Sequence, residues 1–237
     1  MAKHTFFITG TDTGVGKTTI SCGLLSLANS AGLRTLAMKP IASGCEQTAD
    51  GLRNDDALAL QACASEPLSY ERINPIAMAP AIAPHVAARQ AGKSLSADRL
   101  AGFCRGLMMV PGDLLLIEGA GGWRVPLNER ETYADVPKAL GVPVILVVGL
   151  RLGAINQALL SAEAIARDGL RLAGWVANQV EDTPMEAMAD TLEYLRGHMG
   201  APCLGHVPYL APEPGRSAVA EAALCARHLA LPDHNKP

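Results

Sequence analysis

Short apolar runs alternate along the chain with segments that have the spacing of amphipathic helices. The apolar runs predict strands at residues 5–9, 35–39, 114–118, 142–148, 172–178 and 203–207. Helical spacing predicts helices at residues 18–30, 56–64, 96–109, 154–167 and 185–198. Several runs are almost continuous in Val, Ile and Leu, which is typical of strands covered on both faces. The alternation therefore predicts an α/β fold with a doubly wound, mostly parallel sheet, whose ligands bind at the carboxyl ends of the strands.

The connection between the second and third predicted strands is unusually long. It spans about seventy residues and contains Pro67, Pro75, Pro80 and Pro84. An ordinary crossover is much shorter, so we expect part of this insertion to form a wall of the active site.

Composition narrows the class of protein. The chain has 237 residues, of which 49% are hydrophobic and 18% charged, with a net charge of −3. No linker divides it, no apolar run reaches the ~20 residues of a membrane span, and no signal peptide precedes the first strand. The six cysteines form no Cys-x-x-Cys pair, which favours reduced, buried thiols over a zinc site. We predict one cytoplasmic domain, residues 1–237, that binds neither nucleic acid nor membrane.

The first predicted strand enters a glycine-rich loop that opens a helix. Glycines at positions 10, 14 and 16 precede Lys17 and Thr18. Glycine lets backbone N–H groups approach an anion, and the helix N-terminus adds partial positive charge. The usual spacing would put a glycine at Thr11, so this loop is a variant. Strand, loop and Gly-Lys-Thr-Thr together predict a P-loop NTPase-like fold, with Lys17 on the β/γ-phosphates and Thr18 on Mg²⁺.

Polar residues collect at the predicted strand ends. Lys39 ends the second strand, which by itself indicates a solvated terminus, but it shares its edge with the phosphate loop. Glu118 follows four apolar residues, as a P-loop metal ligand does, although it could instead cap a neighbouring amide. Asp56 precedes a helical run and fits either an N-cap or a metal ligand.

Together these motifs resemble the ATP-dependent dethiobiotin synthase family, from residue 6 to about residue 213. Two of them are Gly10-Thr-Asp-Thr-Gly-Val-Gly-Lys-Thr18 and Glu118-Gly-Ala-Gly-Gly-Trp123. The others lie at residues 39–44, 52–57, 143–148, 152–156, 173–178 and 208–210. The glycine at position 10 is the family's own form of the loop.

The resemblance implies a homodimeric ligase of biotin biosynthesis. Such an enzyme joins CO₂ to 7,8-diaminopelargonate and consumes ATP, with Mg²⁺, to close a cyclic urea. An amine adds to CO₂, the resulting carbamate attacks the γ-phosphorus, and the second amine displaces phosphate from the carbamoyl phosphate anhydride. Because this chemistry needs little acid–base machinery, positioning and electrostatics should dominate catalysis.

The resemblance also implies roles for individual residues. Lys17 and Lys39 would be catalytic, and Thr18, Asp56 and Glu118 would surround Mg²⁺. The implied ATP-binding residues are Gly14, Val15, Gly16, Lys17, Thr18, Thr19, Asp56, Glu118, Gly119, Ala120, Gly121, Asn178, Gln179, Pro208, Tyr209, Leu210 and Glu213. The implied substrate-binding residues are Thr13, Ser43, Gly153, Ala154 and Asn156, the last three reaching the partner's site across a two-fold interface.

Other readings share the fold. A partitioning-type or septum-positioning ATPase usually carries a second lysine early in the loop, where this chain has Thr11-Asp12-Thr13. This chain also has no terminal basic amphipathic helix of the kind that such ATPases use for membrane attachment. An amidase-type ligase needs a further glutaminase domain, and a nucleotide-binding regulatory domain would bind ATP without ligation. ATP consumption that requires diaminopelargonate and bicarbonate would mark the synthase.

Overall fold

The computed structural model describes residues 3–232, in which strands and helices alternate. In chain order they are β1 (His4–Gly10), α1 (Lys17–Ser30), β2 (Thr35–Met38), β3 (Ile41–Ser43), β4 (Glu46–Thr48), β5 (Gly51–Arg53), α2 (Asp55–Cys63), α3 (Tyr70–Ile73), β6 (Ile76–Met78), α4 (Pro84–Gln90), α5 (Ala97–Met108), β7 (Leu114–Gly122), α6 (Asp135–Leu140), β8 (Val144–Gly149), α7 (Ala154–Arg167), β9 (Leu172–Asn178), α8 (Met188–His198), β10 (Cys203–Val207) and α9 (Ala218–Ala226).

Six of these strands form one parallel sheet, in the order β10-β9-β8-β1-β7-β2. Successive side chains of β1 point to opposite faces, as strand geometry requires. Phe7 packs on one face in a core that includes Leu100 of α5, whereas Ile8 packs on the other face with Leu24 of α1. Both faces are therefore covered, and the predicted doubly wound α/β sheet is confirmed.

The six predicted strands of the sheet are all present, but two predicted boundaries are wrong by more than two residues, and several others by one or two. β7 does not end at Glu118; it continues to Gly122, because the small residues after Glu118 still pair with β1, as Gly10 does with Gly122. The helix predicted from residue 185 begins at Met188, because Ala187 has a φ of 51° and interrupts the regular helix. The short strands and helices of the insertion were not predicted, and neither were helices α6 and α9.

The long insertion folds around the end of β2. Its strands β3 and β6 pair in parallel, with Ile41 opposite Ile76, and β4 and β5 form a small antiparallel hairpin. The insertion thus lies beside the carboxyl edge of the main sheet, where ligands bind in this class of fold.

The cysteines and the apolar segments agree with the expectations from composition. Five thiols are buried, Cys203 is half-buried, and all six are free. Within residues 3–232, no helix is both long enough and apolar enough to span a bilayer.

Candidate active site

The glycine-rich loop between β1 and α1 has the backbone of a phosphate cradle. Gly14 and Gly16 have φ values of 73° and 85°, which strongly favour glycine. A Cβ on Gly16 would lie 2.2 Å from Nδ2 of Asn178, so no larger residue fits there without displacing that side chain. Asn178, at the end of β9, donates from Nδ2 to the carbonyl of Val15 at 2.9 Å. Asn178 therefore supports the loop from behind.

Lys17 begins α1 and curls back over the loop. Its side chain is nearly buried, and Nζ donates to the carbonyl of Asp12 at 3.0 Å. Burial lowers the pKa of Lys17 to about 8, although the charge of Glu118 opposes that shift. The Asp12 carboxylate forms an ion pair with Arg151, which follows β8, so this charge pair joins the loop to the next strand of the sheet.

The three residues expected at the catalytic centre lie together. Nζ of Lys39 is 2.7 Å from Oε1 of Glu118 and 2.9 Å from Oδ2 of Asp56. Burial opposes the charge on Lys39, but the two carboxylates outweigh it and raise the pKa of Lys39 above its usual value. Lys39 is therefore charged, and the alternative of a merely solvated strand terminus does not fit a residue that is 5% exposed.

Glu118 also accepts hydrogen bonds from two hydroxyl groups. Its Oε1 accepts from Thr18 Oγ1 at 2.8 Å, and its Oε2 accepts from Ser21 Oγ at 2.9 Å. It does not cap an amide in these contacts. Asp56 does not cap α2 either, because Asn54 is the N-cap residue and accepts from the N–H of Ala57 at 3.2 Å.

Thr18, Asp56 and Glu118 thus present one hydroxyl and two carboxylates around the Lys39 ammonium. These oxygen donors fit Mg²⁺, which takes few protein ligands and completes its coordination with water and substrate phosphates. Among residues 3–232, no three His, Cys, Asp or Glu side chains cluster as a protein-only metal site. The donor set therefore suits a nucleotide-bound cation.

A cavity of about 710 Å³ opens beside this centre. Its polar and glycine lining residues are Gly14, Gly16, Lys17, Thr18, Thr19, Thr13, Ser43, Lys39, Asp56 and Gly121. Its apolar lining residues are Ile41, Ala42, Ala81, Ile82, Ala83, Pro84, Ala120, Val125 and Pro126. Residues 81–84 belong to the insertion, so the expectation that it forms a wall of the site is confirmed.

Three ATP-binding candidates beside the loop, Glu118 among them, are buried behind the cavity rather than in its lining. Val15 is buried under the loop. Gly119 faces Phe7 and Tyr133, and a Cβ there would come within 2.9 Å of the Phe7 ring, so its small size serves packing.

The candidates for the adenine end lie along the β9–β10 edge of the sheet. The N–H of Gln179 donates to Val207 O at 2.9 Å, and its side chain donates to the carbonyls of Glu181 and Asp182. Pro208, Tyr209 and Leu210 follow β10 directly and are half-buried. Glu213 is exposed and pairs with Arg216 of its own loop. None of these residues lines the 710 Å³ cavity.

The segment that begins α7 is separate from this cavity. Gly153 has a φ of 92° and precedes the helix, Ala154 is buried, and Asn156 is exposed. Leu152 is 95% exposed and Leu160 is 56% exposed, at four-residue spacing on either side of Asn156. Leu160 lies one turn after Asn156 on the same face of α7, whereas Leu152 precedes the helix.

Sequence reasoning missed two contributors to the site. Ser21 lies three residues after Thr18 on α1, so helical spacing could have placed it on the same face. Arg151 carried no such signal, because its contact with Asp12 depends on how β8 lies beside β1.

Comparison with known proteins agrees with this geometry. The sequence model of the family described as "AAA domain" matches residues 4–213. Two solved structures share the fold: a ParA family ATPase from Chlorobium tepidum, with TM-score 0.58, 11% identity and 96% of each chain covered, and the MinD cell division protein of Aquifex aeolicus, with TM-score 0.54, 13% identity and 94% and 95% covered. At such identities they show the fold alone.

Curated relatives are far more similar. The ATP-dependent dethiobiotin synthetase BioD of Marinobacter nauticus is 67% identical over 210 residues, which cover 89% of this chain and 90% of the relative. The proteins of the same name from Pseudomonas paraeruginosa and Cellvibrio japonicus are 59% and 54% identical, covering 91% and 98% of this chain and 93% and 97% of theirs. The chain therefore belongs to the ATP-dependent dethiobiotin synthetase BioD family.

Proposed function

We propose that this chain is a dethiobiotin synthase: it carboxylates 7,8-diaminopelargonate with CO₂ and closes the cyclic urea at the expense of ATP. The observation that carries the proposal is the placement of Lys39 beside a P-loop, held between Glu118 and Asp56. Family membership indicates the substrate class. The cavity is lined by polar residues that suit phosphates and by apolar residues that suit an aliphatic chain.

The loop and its lysine hold the triphosphate. Gly14, Gly16, Lys17, Thr18 and Thr19 line the cavity, and the N-terminus of α1 favours an anion there. Lys17 leaves the Asp12 carbonyl to bind the β/γ-phosphates, which replace that neutral acceptor with full negative charge. Thr18, Asp56 and Glu118 hold Mg²⁺, which neutralises charge on the transferring phosphoryl group when it is bound.

Lys39 acts on the reacting groups. A carbamate oxygen must attack the γ-phosphorus, which brings an anion against a polyanion, and a fixed ammonium lowers that repulsion. Because Lys39 is already charged and buried, little reorganisation is required at the moment of transfer. The second amine then attacks the carbamoyl carbon and expels phosphate, while Lys39 and Lys17 stabilise the leaving oxyanion.

Thr13 and Ser43 line the same cavity, and we assign them to the amine end of the substrate. The apolar wall formed by residues 81–84 suits the aliphatic chain of diaminopelargonate and excludes water from the anhydride.

The far carboxylate of the substrate needs a second anion site. We assign it to Gly153, Ala154 and Asn156 of the partner subunit, at the N-terminus of its α7, where the helix dipole favours an anion. The exposed side chains of Leu152 and Leu160 support a homodimer through this face, because pairing there would remove their apolar surface from water. Each active site would then be completed across the two-fold axis.

The adenine end of ATP is assigned to Asn178, Gln179, Pro208, Tyr209, Leu210 and Glu213. The loop after β10 leads into α9, whose Ala218 and Glu221 lie beside Thr19 around a small cavity of about 60 Å³. The segment therefore returns to the phosphate loop, as an adenine pocket requires. We further propose that residues 1–237 act as one domain in the cytoplasm.

The test is ADP release by the purified chain with Mg-ATP. A synthase releases ADP only when diaminopelargonate and bicarbonate are both present. Release that is independent of both would favour the partitioning-type ATPase that shares the fold. Nucleotide binding without turnover under any combination would favour a regulatory domain.

A further inference from the structure

The backbone of Lys39 is held by the insertion rather than by the main sheet. β2 ends at Met38, and Pro40 has no N–H with which to continue a ladder. The N–H of Lys39 instead donates to the carbonyl of Ile73 at 2.8 Å, and its carbonyl accepts from Nδ2 of Asn74 at 2.7 Å. Both polar groups of the Lys39 backbone are thus satisfied by residues at the end of α3.

A chain of hydrogen bonds runs from Asn74 to the helix that carries Asp56. Oδ1 of Asn74 accepts from the hydroxyl of Tyr70 at 3.1 Å, and the Tyr70 oxygen accepts from the N–H of Asn54 at 2.7 Å. Asn54 caps α2, and Asp56 lies in the first turn of that helix. Tyr70 thereby links the N-terminus of α2 to the backbone of Lys39.

This chain of hydrogen bonds is buried. Asn74 and Tyr70 are 3% and 6% exposed, and the Arg53 guanidinium lies 4.2 Å from the centre of the Tyr70 ring. Buried polar groups without partners are costly, so Tyr70 and Asn74 have few alternative positions. Neither side chain lines the 710 Å³ cavity. Neither can therefore touch a substrate bound there.

We propose that Tyr70 and Asn74 are positioning residues that set Lys39 and Asp56 at the separation needed for phosphoryl transfer. Lys39 and Asp56 come from different elements, β2 and α2, and their side chains meet at 2.9 Å. The hydrogen-bond chain fixes the backbones from which both side chains extend. The proposal deepens the proposed function, on which it rests, and it gives residues 70–74 of the insertion a role in catalysis.

The main test is Tyr70→Phe, which removes the hydroxyl and keeps the ring beside Arg53. We expect kcat for dethiobiotin formation to fall by about tenfold, because Asn54 N–H and Asn74 Oδ1 each lose a partner and the two catalytic groups drift apart. Affinity for ADP without Mg²⁺ should change by less than about twofold, because the P-loop is untouched. Tyr194→Phe, which removes the hydroxyl of a more exposed tyrosine on α8, should keep the wild-type kcat.

A second variant shows whether the effect passes through Lys39. In a Lys39→Gln background, Tyr70→Phe should lower the residual kcat by less than about twofold, because residues acting through one group are not additive. Asn74→Ala, which strips the Lys39 carbonyl of its donor, should lower kcat at least as much as Tyr70→Phe if the protein folds. If Asn74→Ala protein does not fold, the result for Tyr70→Phe decides whether the two residues position Lys39.

Three results would overturn the positioning role. One is a Tyr70→Phe enzyme with wild-type kcat. Another is a variant in which kcat, ADP affinity and Tm fall together, since that pattern marks general loss of structure. The third is a full tenfold effect of Tyr70→Phe in the Lys39→Gln background. A wild-type protein that forms no dethiobiotin would instead refute the proposed function itself, so the two failures are distinguishable.

Discussion

Nζ of Lys39 lies 2.7 Å from Oε1 of Glu118, and Glu118 has no exposed surface. A buried carboxylate is tolerated only when it is paired and hydrogen-bonded, and here Thr18 and Ser21 supply further donors. Glu118 therefore holds the Lys39 ammonium group at the edge of the sheet, directly beside the phosphate loop. That placement is the basis of the mechanism, and it leads to the first prediction.

Lys39→Gln should lower kcat by roughly 10²–10³-fold, as loss of one preorganised charge donor does in other enzymes. ADP affinity should change far less, because Lys17 and the loop remain. Steady-state kinetics and calorimetry with ADP measure the two effects. Lys138→Gln, at an exposed lysine of α6, is the control and should leave both unchanged. A parallel loss of kcat and ADP affinity would place Lys39 among the nucleotide-holding groups instead.

The second prediction uses two adjacent carboxylates of α2. Asp56 faces Lys39 and the cavity, whereas Asp55 is exposed. Asp56→Asn removes a hard anionic donor, so the Mg²⁺ concentration for half-maximal activity should rise by roughly tenfold. Asp55→Asn keeps the same helix and should leave that concentration as in the wild type. An equal shift in both variants would mean that helix charge, rather than a metal contact, is responsible.

Much of this architecture could be predicted from the sequence because it depends on local patterns. Apolar runs such as residues 144–149 must be buried on both faces, and the glycines of the loop report their own backbone conformation. Lys39 could be placed beside the phosphate loop because parallel strands end at one edge of the sheet, and Glu118 meets it from within β7, next to the Met38–Ile117 pair. The match of motifs to a known family then supplied the substrates.

The remaining features depend on contacts between distant parts of the chain. No local pattern shows that Asn74 supports Lys39 or that Arg151 pairs with Asp12, since 35 and 139 residues separate these partners. The sequence allowed Asp56 to be either the N-cap of α2 or a metal ligand, because Asn and Asp are both good capping residues. Only the backbone conformation shows that Asn54 is the N-cap. Three-residue strands such as β3 and β6 are too short for a periodic signal.

The third prediction concerns the shared substrate site. Asn156→Ala should raise KM for diaminopelargonate by roughly tenfold and leave KM for ATP nearly unchanged, since it removes one polar contact to the carboxylate. Initial rates at varied diaminopelargonate and ATP measure both constants. A mutation that raised both constants equally would argue against a site for the carboxylate alone.

Subunit mixing tests the same interface more directly. Gly153→Pro should disrupt the start of α7, because proline cannot adopt the φ of 92° found there. Mixed with inactive Lys39→Gln subunits, it should form dimers with one intact site and at most about half of the wild-type activity. The separate homodimers are the controls. No recovery despite demonstrated exchange would mean that each subunit binds its substrate alone.

The fourth prediction concerns stability at low pH. Asp168 accepts from Trp123 Nε1 at 2.8 Å and from Arg124 Nη1 at 2.7 Å. Burial raises the pKa of Asp168, but the bonds from Arg124 and Trp123 outweigh it and lower the pKa below its usual value. A lowered folded-state pKa stabilises the protein above the unfolded pKa of about 4, and that contribution is lost as pH falls through the folded value.

Asp168→Asn should therefore lower the free energy of unfolding by about 1 kcal/mol at pH 7, because the ion pair with half-exposed Arg124 is screened and contributes little. The difference from wild type should narrow below about pH 4. Urea unfolding at pH 7, 5 and 3 measures it. A difference that widened on acidification would show that another group anchors Trp123.

The most direct test of the account follows the carbon of ¹³C-bicarbonate in the purified protein. With diaminopelargonate and Mg-ATP, we expect the protein to form dethiobiotin that carries one ¹³C, detected by mass, and to release one ADP for each molecule formed. Lys17→Ala protein that is folded by circular dichroism should form the labelled product at least about a hundredfold more slowly. ATP hydrolysis without labelled dethiobiotin, or near-wild-type product formation by folded Lys17→Ala, would contradict it.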